Sequence, residues 1–174
     1  KTRIRALHRI VSGVFADELG KVEVPEPCTL ADIPAIVDGI HLAEPLGKAV
    51  LDPMTEALQH GIDLEAARLE AELKPKARGA RISVKKDFDI RETFAFRVLQ
   101  QRAAIHMRSV EDSVKERVRE TLTRIVGEGG NVIEAWRALQ ADLEADHALL
   151  VARTEILGAA RYGVQALGEK SGDL

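Results

Sequence analysis

Residues 91–126 impose the tightest constraint on what this chain can fold into. Val98, Ile105, Val110, Val114, Val118, Leu122 and Ile125 recur largely at three-, four- and seven-residue steps, the spacing that gathers apolar side chains onto one face of an α-helix. Glu111–Lys115 and Glu120–Arg124 add favourable i,i+4 charge pairs on the solvated side. The expected fold class is therefore mainly α, an elongated multi-helix protein with a long central helix. Asp112 is the weak point of the pattern, where a bend near Ser109 would split the helix in two.

The clearest local signal follows at once. Gly127, Gly129 and Gly130 stop the long helix, because glycine tolerates the left-handed terminal conformation. Asn131 then caps a second helix, and Glu134 stands three residues on, in a capping-box arrangement. The result is a helix–glycine turn–helix. A DNA-reading helix-turn-helix would look similar, but the second helix, Val132–Leu143, offers only Arg137 and Gln140 as base readers. A last helix is expected from about His147 to Leu167.

Upstream, residues 1–19 form an amphipathic pattern with Ile4, Leu7, Ile10, Val11, Val14 and Phe15 on one face. Pro25 and Pro27 break it. Thr29 is the expected N-cap of a helix through Ile33, Ile36, Val37 and Ile40, with Pro34 near its start. Asp52 followed by Pro53 reads as a further helix start, with Gly61 as its end, and residues 62–73 have strong helix propensity up to Pro75.

Charge divides the chain into thirds. Residues 21–75 hold 4 Lys/Arg against 11 Asp/Glu, residues 76–126 hold 13 against 7, and residues 127–174 hold 4 against 8. Three regions follow: 1–75, an N-terminal helical region; 76–91, a basic linker or arm with a small β hairpin near 80–90; and 92–174, a helical domain. Lys76, Arg78, Arg81, Lys85 and Lys86 are the candidate contacts, to DNA phosphates or to an acidic surface on a partner. Interleaved acids break any continuous cationic stripe.

Composition excludes several classes. Aromatic residues make up only 3% of the chain, too few for a base-stacking platform, and the net charge of −3 argues against an obligate nucleic-acid binder. No long apolar run is present, so no transmembrane segment is expected, and no apolar stretch follows the basic start as in a signal peptide. The absence of an initiator Met implies a trimmed or excerpted chain. One cysteine, Cys28, precludes an internal disulfide and a multi-cysteine metal site. His8, His41, His60, His106 and His147 show no HxxxH or HExxH spacing. Phosphate loops, nucleophile elbows and paired acid/base carboxylates are equally lacking. Catalytic, cofactor-binding and metal residues are therefore expected to be none, and the chain is expected not to be an enzyme.

One resemblance rests on ordered residues. Gly127, Gly130, Ala135, Leu139, the tetrapeptide Ala152-Arg153-Thr154-Glu155, Ala159 and Gly163 follow one another after a long helix. This order, over roughly 90–167, resembles the phage head-morphogenesis or minor head protein family that includes the F protein of phage Mu. The resemblance implies a minor head (capsid) protein of a tailed phage or prophage, docking at the portal protein or capsid interior and assisting head assembly or DNA passage. It implies no cofactor, packaged double-stranded DNA as a further contact, no membrane, and a homo-oligomer as a candidate state. The implied location is the virion, at the head interior or portal vertex, and the bacterial host cytoplasm during assembly. Family members commonly continue beyond this last helix. Arg153 and Glu155 are expected to act as a structural lock, each meeting a charge on another helix. The alternative from another class is a helical DNA-binding protein or regulator.

Overall fold

The computed structural model describes residues 2–73 and 89–171, and these are mainly helical with no strand among them. Six α-helices follow in order: α1 Thr2–Leu19, α2 Ile33–Asp38, α3 Ala43–Leu73, α4 Phe94–Gly127, α5 Val132–Asp142 and α6 Ala148–Ser171. Most of the expected hairpin region, like the basic residues 76–86, lies outside the described residues. Where description resumes, the chain forms a 3₁₀ turn, Ile90–Glu92.

α1 buries Leu7, Val11, Phe15 and Leu19, a strict four-residue stripe. Ile10, expected on that face, stays exposed, because a four-residue repeat leaves only a narrow seam. α2 begins one turn later than the sequence suggested. Asp32 rather than Thr29 is its cap residue, and the Asp32 carboxylate instead accepts from Thr29 N (2.7 Å) and Thr29 Oγ1 (2.6 Å). Pro34 sits in the first turn, where a missing N–H costs nothing.

α3 corrects two expectations. Asp52-Pro53 does not start a helix and Gly61 does not end one; both lie inside a single 31-residue helix. Proline removes one hydrogen bond and crowds the carbonyl four residues back. The cost is offset because apolar burial continues on both sides of it: Leu46, Val50, Met54, Leu58, Ile62 and Ala66 are all buried.

α4 runs without interruption for 34 residues, with no break at Ser109. Thr93 starts it. Its Oγ1 accepts from Phe96 N at 3.1 Å while donating to Ile90 O at 2.7 Å. Leu99, Met107, Val110, Val114, Val118 and Leu122 are buried, whereas Ile105, assigned to this face from the sequence, is 68% exposed. Ala103 and Met107 fill the register that Ile105 misses.

The described residues group into two compact units that interleave along the chain. One comprises Lys1–Val50 and Ala103–Arg153; the other comprises Leu51–Arg102 and Thr154–Leu174. The first buries Phe15, Ile40, Leu42, Val114, Trp136 and Leu143. In the second, Met54, Leu58, Ile62, Leu99, Ile156 and Leu167 are buried.

Candidate functional site

The turn between α4 and α5 forms as its glycines demand. Gly129 takes φ +69°, Gly130 N donates to Ile125 O at 2.9 Å, and Gly129 N donates to Val126 O at 3.2 Å. This is a Schellman closure, with glycine in the one position that needs left-handed backbone. Asn131 then adopts an extended conformation and its Oδ1 accepts from Glu134 N at 3.1 Å, an N-cap of the expected kind.

α5 is pinned by what lies behind it. Trp136 and Leu139 are buried, and the Gln140 amide donates to Leu19 O, the end of α1, at 3.0 Å. One of the two base readers noted in the sequence is thus engaged inside the fold, while Arg137 is exposed. The spacer expected before the last helix is a π-helical turn, Leu143–His147, that leads directly into α6. Around it, His8 Nε2 lies 3.1 Å from Ala145 O, and the His147 ring meets Phe15 edge-on at 5.9 Å. Arg117 pairs with Asp142 nearby. Burial holds the His147 pKa below the ordinary histidine value, and the positive fields of Arg117 and His106 act in the same direction against Asp142.

Glu111 does more than its sequence signal promised. Its pair with Lys115 forms at 2.7 Å, but the other carboxylate oxygen accepts from Leu42 N and Ala43 N, both at 2.7 Å. Glu111 therefore caps the first turn of α3, where N–H groups have no helical partner and the helix dipole favours an anion. Burial alone would raise its pKa; the bonds from Lys115, Ala43 and Leu42 outweigh that and hold it low. The second expected pair does not form in the same way, since Arg124 bonds Glu128 at 3.2 Å.

In the second unit the decisive contact is between two glycines. A Cβ on Gly163 would lie 2.1 Å from Leu58 O, and one on Gly61 would lie 2.2 Å from Ala160 O. α3 and α6 cross backbone to backbone, which explains why Gly61 sits inside a helix. Of the tetrapeptide at the start of α6, Ala152 and Glu155 are buried while Arg153 and Thr154 are exposed. Arg153 forms no ion pair among the described residues. Glu155, 6% exposed, exerts its field on Arg102, whose guanidinium donates to Tyr162 Oη at 3.2 Å and lies 5.9 Å from the ring centroid. Arg153 and Glu155, expected together as a lock, differ in burial, Arg153 being exposed and Glu155 buried.

Cys28 lines a groove of about 390 Å³ between residues 25–28 and 129–133. Burial, then the negative charge of Asp32, pushes its thiol pKa up, the opposite of an activated nucleophile. No histidine lines the groove. Among the described residues no cluster of His, Cys, Asp and Glu could hold a metal ion, and no helix is long and apolar enough to cross a membrane. The five candidate cationic contacts, Lys76, Arg78, Arg81, Lys85 and Lys86, all lie outside the described residues.

Comparison with protein-family models, characterised proteins and solved structures gives no match.

Proposed function

We infer that this chain is a non-enzymatic minor head component of a tailed phage or prophage particle, docking at the portal or capsid interior and assisting head assembly or DNA passage. One observation carries the reading: the ordered residues of α4 to α6 that resemble the head-morphogenesis family. The packing gives many of them a physical role. Gly127 ends α4 and Gly130 closes its terminal turn, Leu139, Ala152 and Ala159 are buried, and Gly163 lets α6 approach α3. Such a chain would work by presenting helical faces to a larger partner.

The test is co-elution with the portal protein encoded beside this chain. A docked complex is expected to survive about 0.5 M salt, where exposed charge contacts are screened. Separate elution, with the chain instead retarding duplex DNA at low salt, would replace this reading with a helical DNA-binding regulator. That behaviour would place the working contacts in the basic residues 76–86.

A further inference from the structure

α5 passes into α6 through the π-helical turn Leu143–His147, which Ala148 N closes by donating to Leu143 O. A π turn is rare, and inside a helix it recurs at functional sites. Contacts from α1 and α4 hold this one, all within the first unit. From α1, His8 Nε2 lies 3.1 Å from Ala145 O, and Phe15 meets the His147 ring edge-on at 5.9 Å. From α4, Arg117 pairs with Asp142, the residue just before the turn. The Gln140 amide holds Leu19 O at the far end of α1. α1 is therefore anchored on both sides of Phe15, at His8 and at Leu19.

The surroundings of His147 favour a neutral ring. The ring is half-buried, and Arg117 and His106, both on α4, act on it with positive charge. Asp142 opposes them, but its carboxylate is already engaged by Arg117. α1 presents the apolar Phe15 to the ring and brings His8 to the turn. Glu144 and Asp146 belong to the turn itself, and Asp146 is exposed. Histidine is the side chain that gains charge between about pH 8 and 5, and the two histidines at the turn respond to acid differently. The His8 bond to Ala145 O survives protonation, because an imidazolium donates from both nitrogens. His147 instead gains a charge beside Arg117 and His106, away from full solvation.

We propose that the π-helical turn is a proton-operated hinge of the first unit. Protonation of His147 parts its ring from Phe15 and opens the Ala148–Leu143 bond, while the His8–Ala145 and Gln140–Leu19 bonds keep α1 attached. The closed turn prefers the neutral ring, so closure is favoured above about pH 6.5 and weakens as pH falls below it. One proton drives the change, which limits it to about tenfold per pH unit. The hinge is independent of the head-component reading.

Solution NMR of the full chain, from about pH 8 to 5, tests it. The Ala148 amide is expected to exchange through an opening short of global unfolding, faster than Val114 and Val118 in the buried stripe of α4. Corrected for intrinsic rates, that opening should grow about fivefold between roughly pH 7 and 5, inside the one-proton limit. The ring-current displacement that Phe15 imposes on the His147 protons should fade with the same midpoint. His147→Gln takes up no proton and should leave Ala148 exchange free of this pH response. Arg117→Gln changes a side chain that is 47% exposed, removes one cation and releases Asp142, and should raise the His147 midpoint. A ring with a merely structural role would not respond to that variant. Ala148 exchanging in step with Val114 and Val118 would overturn the hinge. So would a His147→Gln chain with the parent's pH response, or a midpoint unmoved by Arg117→Gln.

Discussion

Replacing Gly163 with alanine adds one methyl group at the crossing of α3 and α6, and the sign of its effect is diagnostic. In an ordinary helix the change stabilises by about 1 kcal/mol, the propensity gap between the two residues. Here the new Cβ would stand 2.1 Å from Leu58 O, where a carbon–oxygen contact needs about 3.3 Å. The obstacle is backbone, so no rotamer change relieves it, and the helices must part by about 1 Å. A gap of that size forfeits a quarter to a half of each neighbouring dispersion contact, and overpacking of this kind costs about 1–3 kcal/mol. Net of propensity, Gly163→Ala should destabilise by up to about 2 kcal/mol, or up to roughly 8 °C in Tm for a chain of this size. Gly158→Ala is the control on the same helix, since its Cβ meets no atom within 4 Å; it should be neutral or stabilising by up to about 1 kcal/mol. Urea denaturation followed by circular dichroism, at matched protein concentration, measures both. If Gly163→Ala proves as stable as Gly158→Ala, the backbone-to-backbone crossing is wrong.

Three further outcomes follow from the first unit. Asn131→Ala removes the acceptor for Glu134 N and should lower stability by about 1 kcal/mol, while Asn131→Asp should retain it; equal losses would refute the cap. Glu111→Ala strands two N–H groups at the start of α3 and should cost about 1–3 kcal/mol, with amide exchange rising first at Leu42 and Ala43. His147 has a folded-state pKa below its unfolded one, so the folded state prefers the neutral ring. Its contribution is present above about pH 6.5, the unfolded value, and is lost as pH falls from there through the folded value. His147→Gln should flatten the pH dependence of stability across that window, and an unchanged profile would assign the dependence elsewhere.

Local signals were legible in the sequence, and distant ones were not. The Gly129 turn and the Asn131 cap are decided within six residues of chain, so their residue types could be read directly. Pro53 and Gly61 use the same alphabet for other ends. Proline and glycine punctuate helices when nothing else holds them together, and here a long buried face carries α3 through both. Gly61 is glycine because of Gly163, and no local pattern names that partner. The same holds for Ile105, whose periodic position was right for a helix but off-register for this core, and for Glu111. Its pair with Lys115 was visible, but its bonds to Leu42 and Ala43 required the fold. Burial likewise separates Arg153 from Glu155, two residues apart on one helix, in a way their types alone did not indicate.

The Glu111 cap also sets an order of events. The carboxylate that closes the first turn of α3 stands 69 residues downstream of Leu42. At synthesis rates of about 5–20 residues per second, roughly three to fourteen seconds separate the emergence of donor and acceptor. During that interval the start of α3 relies on its own propensity, with Leu42 at the cap position offering no side-chain acceptor. Closure of the first turn of α3 therefore waits on α4, a long-range contact of the kind that slows folding. A nascent chain stalled before Glu111 should leave Leu42 and Ala43 open to exchange, and one stalled well after it should protect them.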